Sequence, residues 1–114
     1  MKRDPDIEAH VALLSTEDGG RQGPAFSGYR PNHLVTENYL TSGTHEYIGV
    51  DQLEPGSSTI ANITFVSPEF YPNCLTVGQT INVQEGGKIV GYATIRKIFN
   101  PLLEKSEGTD NNTL

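Results

Sequence analysis

Two arginines set in a stiff loop are the residues of this sequence most readily turned to chemistry. From Glu17 to Pro31 the chain reads Glu-Asp-Gly-Gly-Arg-Gln-Gly-Pro-Ala-Phe-Ser-Gly-Tyr-Arg-Pro, which holds Arg21 and Arg30 among four glycines and two prolines. Glycine serves where the backbone must turn through positive φ or approach another group closely, and proline fixes φ. A guanidinium presented this way can grip phosphates or an acidic protein surface, or it can bond loop carbonyls and hold the loop's own shape. For Arg30, flanked by Tyr29 and Pro31, the structural use is expected; for Arg21 both uses stay open. Glu85-Gly86-Gly87 is first of all a tight hairpin turn. Phe26, Tyr29, Phe70 and Tyr71 could stack on bases, but aromatics beside prolines in a small β-fold are expected to plug an end of the core.

Other chemistries find little footing. His10, His33, His45 and Cys74 are the soft metal ligands, and their spacing fits no compact zinc motif, so no metal is expected. The acids Glu8, Glu17, Asp18, Glu46 and Asp51 show no spacing that demands a paired-carboxylate site, and Cys74 has no base or second cysteine that the sequence identifies. The expectation is a chain with no catalytic residues and no cofactor.

The elements that position these residues read as short strands between Gly and Pro turns. Ile7 to Ser15 alternates with Ile7, Ala9, Val11 and Leu13 on one side. Asn32 to Leu40 is extended, Thr41 to Thr44 reads as a turn by composition, and His45 to Gly49 as a short strand. Leu53-Glu54-Pro55-Gly56 suits a type II turn, and from Thr59 the residues Ala61, Ile63 and Phe65 form the strongest central strand. Ser67 to Pro72 ends it, because each proline removes a ladder donor. Thr80 to Gln84, with Ile81 and Val83 inward, and Lys88 to Phe99, with Ile89, Ala93 and Ile95 inward, flank the Gly86-Gly87 hairpin. No longer stretch has helical periodicity. The pattern predicts an all-β fold, either a sandwich or a closed barrel.

The 114 residues suit one domain, with residues 1–5 as an extension, 6–100 as the folded unit and 101–114 as a polar, disordered tail. A net charge of −6 and a pI near 4.9 oppose binding driven by nucleic-acid phosphates, although a local basic rim remains compatible with them. Cys74 is the single cysteine, so nothing calls for an oxidising compartment. With no apolar stretch of signal-peptide or membrane-spanning length, a cytoplasmic location and no membrane contact are expected. Asn62-Ile63-Thr64 and Asn111-Asn112-Thr113 match the glycosylation triplet, which means little without an export signal.

The order of the motifs adds more. Leu14 to Arg21 (Leu-Ser-Thr-Glu-Asp-Gly-Gly-Arg), Gly28 to Asn32 (Gly-Tyr-Arg-Pro-Asn), Pro55-Gly56 and Glu85 to Gly91 (Glu-Gly-Gly-Lys-Ile-Val-Gly) closely resemble the third domain of translation elongation factor Tu, over about residues 6 to 99. The resemblance implies a closed antiparallel β-barrel of about six strands. It also implies a domain that packs on a GTPase domain and a second barrel, touches the T-stem of aminoacyl-tRNA and helps bind the exchange factor. Its RNA-contacting positions fall on Arg21, Gln22, Asn32, Glu85, Gly86 and Lys88, with Gly19, Gly20, Gly28, Tyr29, Arg30 and Pro31 shaping the loop. Gln22 stands where the family has His, Asn32 where it has Gln, and Lys88 where it has Arg; the last change gives up bidentate phosphate recognition. The segment from Thr36 to Gly49 departs further from the family pattern. No Gly-x-x-x-x-Gly-Lys-Ser/Thr occurs, since Gly87-Lys88 is followed by Ile89 and preceded by Asn82 at the first-glycine position, so no GTP is expected. These residues together suggest a free-standing, non-enzymatic binding module whose partner is a protein. The alternative is weak tRNA or RNA binding through Arg21, Gln22, Asn32 and Glu85.

Overall fold

In the computed structural model, which describes residues 3–105, the first alternating segment becomes β1 (Ile7–Leu13), with Ile7, Ala9, Val11 and Leu13 all buried. It is followed by β2 (Ala25–Phe26), β3 (Asn32–Thr36), β4 (Tyr39–Tyr47), β5 (Gln52–Leu53), β6 (Ser58–Phe65), β7 (Thr80–Glu85) and β8 (Lys88–Ile98). Six of these close an antiparallel barrel in the order β1-β6-β4-β3-β7-β8, while β2 and β5 pair in a small ribbon beside it. The expectation of a closed barrel of about six antiparallel strands therefore holds, and closure removes the unpaired edges that a sandwich would leave.

Inward side chains from every barrel strand meet in one core, with Ile63, Phe65, Val83 and Ile95 among those sealed from solvent. The strands run alternately, so the barrel has two distinct ends. One gathers Leu13, Asn32, Tyr47, Glu85 and Lys88; the other gathers Ile7, Thr36, Tyr39, Phe65 and Ile98. We call them the loop end and the closed end. At the closed end the Asp6 carboxylate, 1% exposed, accepts from Phe65 N at 2.7 Å, Asn100 Nδ2 at 2.9 Å and the two Arg3 amino groups at 3.1 and 3.0 Å. Arg3 thus ties part of the N-terminal extension to the barrel.

Four expectations need correction. Asn32 to Leu40 is not one extended run: the chain turns at Glu37-Asn38 between β3 and β4, with Thr36 paired to Tyr39. Thr41 to Thr44 is no turn: β4 runs unbroken through it, and Gly43 is there because a Cβ would lie 2.9 Å from the His33 ring and 3.0 Å from Ile63 and Phe65. Val90, rather than Ile89, points into the core. It is the extra residue of a β-bulge opposite Val83 and Gln84, and one extra residue flips every side chain beyond it to the other face. The tail is docked through residue 105: a 3₁₀ helix, Pro101–Leu103, buries Leu103, and Asn73, Cys74 and Leu75 donate to it from their backbone N–H groups. The apolar Leu103 supplies the burial that the polar composition around it conceals. The remainder of the expected disordered tail, 106–114, lies outside the described residues.

Candidate functional site

Loop 14–31 lies across the loop end, and its glycines do what their placement suggested. Gly19 and Gly28 adopt φ of +96° and +101°, and a Cβ on Gly20 would sit 2.1 Å from the Leu14 carbonyl oxygen. Such a contact forbids any side chain, so Gly20 donates to Ser15 O at 2.8 Å and closes the first bend. The second bend is laid against β4: Gly28 N donates to His45 O and His45 N to Tyr29 O, both at 2.8 Å, while Gly43 N donates to the carbonyl of buried Pro31 at 3.1 Å. The opposite lip is the Gly86-Gly87 hairpin, with Gly86 at φ +60° and Glu85 paired with Lys88.

Arg21 joins the two lips. Its Nε donates to Gly23 O and one amino group to Pro24 O, each at 3.2 Å, and the other amino group binds the Glu85 carboxylate. Its guanidinium also lies 4.6 Å from the centre of the Tyr29 ring, and the Tyr29 hydroxyl donates to the same Glu85 oxygen at 2.6 Å. Burial alone would raise the Glu85 carboxyl's pKa, but the bonds from Tyr29 and Arg21 outweigh it and hold the group below its ordinary value. Burial, reinforced by that carboxylate, pushes the Tyr29 phenol up. Both hydrogens that Arg21 directs into the loop are thus used, and its charge is offset by Glu85.

The other sequence-selected residues spread around this knot. Gln22, Arg30, Gly86 and Lys88 are exposed, and Asn32 is half-buried at the head of β3, where Ser42 Oγ donates to its side chain at 3.4 Å. Lys88 adds a favourable field at Glu85. The expected anchoring role falls to Tyr29 and Pro31, whereas Arg30 projects into solvent. Of the aromatics, Tyr71 plugs the core at 5% exposure, but Phe26 and Phe70 do not, at 57% and 69%.

The sequence reading missed a pair of buried imidazoles. His33 and His45 face each other from adjacent strands with Nε2 atoms 2.8 Å apart, both sealed from solvent. A carbonyl can only accept, so His33 Nδ1–H donates to Thr41 O at 3.3 Å and its Nε2 accepts from His45 Nε2–H. The Tyr47 hydroxyl then donates to His45 Nδ1 at 3.2 Å, which completes a fully satisfied chain of neutral groups. Burial lowers the His33 pKa to about 4 and holds His45 well below its usual value, with His33 adding to the second effect. The signal was parity: His33 stands two residues before inward Val35, and His45 two before inward Tyr47.

Among the described residues no group of three or more His, Cys, Asp or Glu side chains could hold a metal ion, and no helix is long and apolar enough to cross a membrane. Burial raises the pKa of Cys74, so its thiol stays protonated. An open cleft of about 410 Å³ at the closed end is lined by Asp4, Pro5, Phe99 and Asn100 rather than by any residue of the rim. No protein-family model matches the chain.

Proposed function

We propose that this chain is a non-enzymatic binding module, similar in architecture and motif order to the third domain of elongation factor Tu, that docks a protein partner on the rim formed by loop 14–31 and the Glu85–Lys88 hairpin. The observation that carries this reading is the commitment of Arg21 to Glu85, Gly23 O, Pro24 O and the Tyr29 ring. A phosphate would have to displace a carboxylate already bound there, and Arg30 and Lys88 alone face a net charge of −6. A protein surface instead finds exposed Phe26 as an apolar anchor on the same loop as exposed Gln22 and Arg30. A translation-related role in a reducing cytoplasm agrees with the motif order and with the buried thiol of Cys74.

The test is a photo-crosslinking residue placed at position 22, with position 92 on the barrel wall as control, in extract of the source cells. Crosslinking to one protein from position 22 and not from 92 is the expected result. Salt-sensitive tRNA binding without any protein crosslink would reverse the assignment.

The second reading, tRNA or other RNA held by Arg21, Gln22, Asn32 and Glu85, draws on the fact that these residues share one rim. Under it, Arg21→Ala weakens RNA binding and reduces the slope of affinity against salt by about one phosphate contact. An unchanged slope removes Arg21 from RNA recognition.

A further inference from the structure

The buried imidazoles lie directly beneath the rim loop. His45 holds that loop by its backbone, since its carbonyl accepts from Gly28 N and its N–H donates to Tyr29 O, both at 2.8 Å. The residues two before and two after it on β4 do the same: Gly43 N donates to Pro31 O at 3.1 Å and Tyr47 N to Ser27 Oγ at 3.0 Å. The bend from Ser27 to Pro31 is thus laid on alternate, inward-facing residues of β4. The side chains of His45 and Tyr47 belong in turn to the hydrogen-bonded chain that ends on His33. Tyr29 covers the pair on the loop side, its half-buried ring edge-on to that of His45 with centroids 5.7 Å apart. On the core side Phe65, edge-on to His33 at 5.3 Å, is sealed from solvent. Water therefore reaches the imidazoles most directly by displacing Tyr29 and the bend that carries it.

While the bend is down, a further proton finds no place on the pair. On His33 Nε2 it meets the His45 N–H across 2.8 Å, and on His45 Nδ1 it forces the Tyr47 hydroxyl to turn from donor to acceptor. Among the described residues no carboxylate bonds either ring. From β3 and β4 the pair is faced by the Thr41 carbonyl and the Tyr47 hydroxyl, from β6 by the Phe65 ring and from β7 by Val83 opposite His33, while Glu46 points outward from β4. From the loop come Tyr29 and, over its ring, the Arg21 guanidinium, whose positive charge is felt at Tyr47. Glu85 is engaged by Arg21 and the Tyr29 hydroxyl. A buried imidazolium without a counter-charge is costly, and access of water relieves it.

We propose that the His33–His45 pair is a proton-operated latch on the rim: acid lifts the Ser27–Pro31 bend off β4 while the barrel stays closed. The bend yields first because a few bonds to β4 hold it, whereas every barrel strand has a partner on each side. An opened bend lets an imidazole take its proton near the ordinary histidine value, and the closed one only near pH 4. For one exposed histidine the open population therefore grows roughly fifty-fold between about pH 7 and 4.5. Release of a rim partner by acid follows, a consequence that rests on the function proposed above; the opening itself does not.

Amide hydrogen exchange of the full chain, corrected for its intrinsic pH dependence, is followed from about pH 7 to 4.5 together with the imidazole nitrogen chemical shifts. The Gly28 and His45 amides lose protection by roughly fifty-fold, in step with proton uptake by the imidazoles, while Val11 and Ala93 on the β1–β8 pair keep theirs. In His33→Phe with His45→Leu the Gly28 amide no longer responds to pH; should that variant fail to fold, the coincidence of the two wild-type titrations carries the test. Unchanged protection of Gly28 and His45 overturns the latch, as does a loss that Val11 and Ala93 share equally, which is global unfolding. So does an opening that departs from the imidazole titration, or one whose pH response disappears in Glu85→Gln, since the carboxylate is then the switch. These readouts need no partner: exchange decides the latch, and the crosslink from position 22 decides the rim's partner.

Discussion

Protonating the His33–His45 pair would set two N–H groups against each other across 2.8 Å, with the Thr41 carbonyl and the Tyr47 hydroxyl, and no carboxylate, bonded to the outer ring nitrogens. The groups that face the pair are the Tyr47 hydroxyl, the edge-on Tyr29 and Phe65 rings and the Thr41 carbonyl. Folded, His33 takes its proton only near pH 4; unfolded, near its ordinary 6.5. Between these values the unfolded chain binds more protons, so stability is complete above about pH 6.5 and is lost as pH falls towards 4. His33 alone should cost on the order of 3 kcal/mol across that window. Urea midpoints measured from about pH 7 to 5, above the range where carboxylates dominate, should fall for the wild type and stay nearly level in His33→Phe with His45→Leu. A second residue-scale expectation concerns Asp6. Replacing it with alanine orphans the buried Phe65 N–H and frees Arg3 and Asn100, and should cost about 2–4 kcal/mol in urea unfolding with the slope unchanged.

At the scale of elements, the sequence was legible where pattern and fold coincided. β1 and β6 announced themselves by alternation, Pro55-Gly56 by its turn chemistry, borne out by Gly56 at φ +85° and Ser57 N donating to Glu54 O, and Gly86-Gly87 by its place between two strands. It failed where tertiary packing overrode local composition. Thr-Ser-Gly-Thr resembles a turn, and only the crowding of His33, Ile63 and Phe65 around Gly43 shows why glycine sits mid-strand. Gly43→Val should therefore destabilise the barrel by about 1–3 kcal/mol through forced displacement of those side chains, read from thermal or urea melts. The bulge at Val90 is likewise invisible to a strict period of two. Arg21 and Glu85 are 64 residues apart, so their bond follows from barrel closure and from nothing local. In the last described segment, Leu103→Ala should cost about 2–5 kcal/mol, because it empties a fully buried site that holds Pro101–Leu103 to the Asn73–Leu75 turn. A loss below 1 kcal/mol would show instead that residues 101–105 contribute little to folding.

For the molecule as a whole, the barrel runs between a loop end knotted by Arg21 and Glu85 and a closed end tied by Asp6, joined by a single core. The final strand pair adds something further. β8 closes the barrel by lying against β1, with Ile7 opposite Ile98, and the Asp6 carbonyl accepts from both Phe99 N and Asn100 N. The points where the chain enters and leaves the barrel are thus hydrogen-bonded neighbours. Such a unit can be spliced as a cassette into a surface loop of a larger protein with its strand order intact.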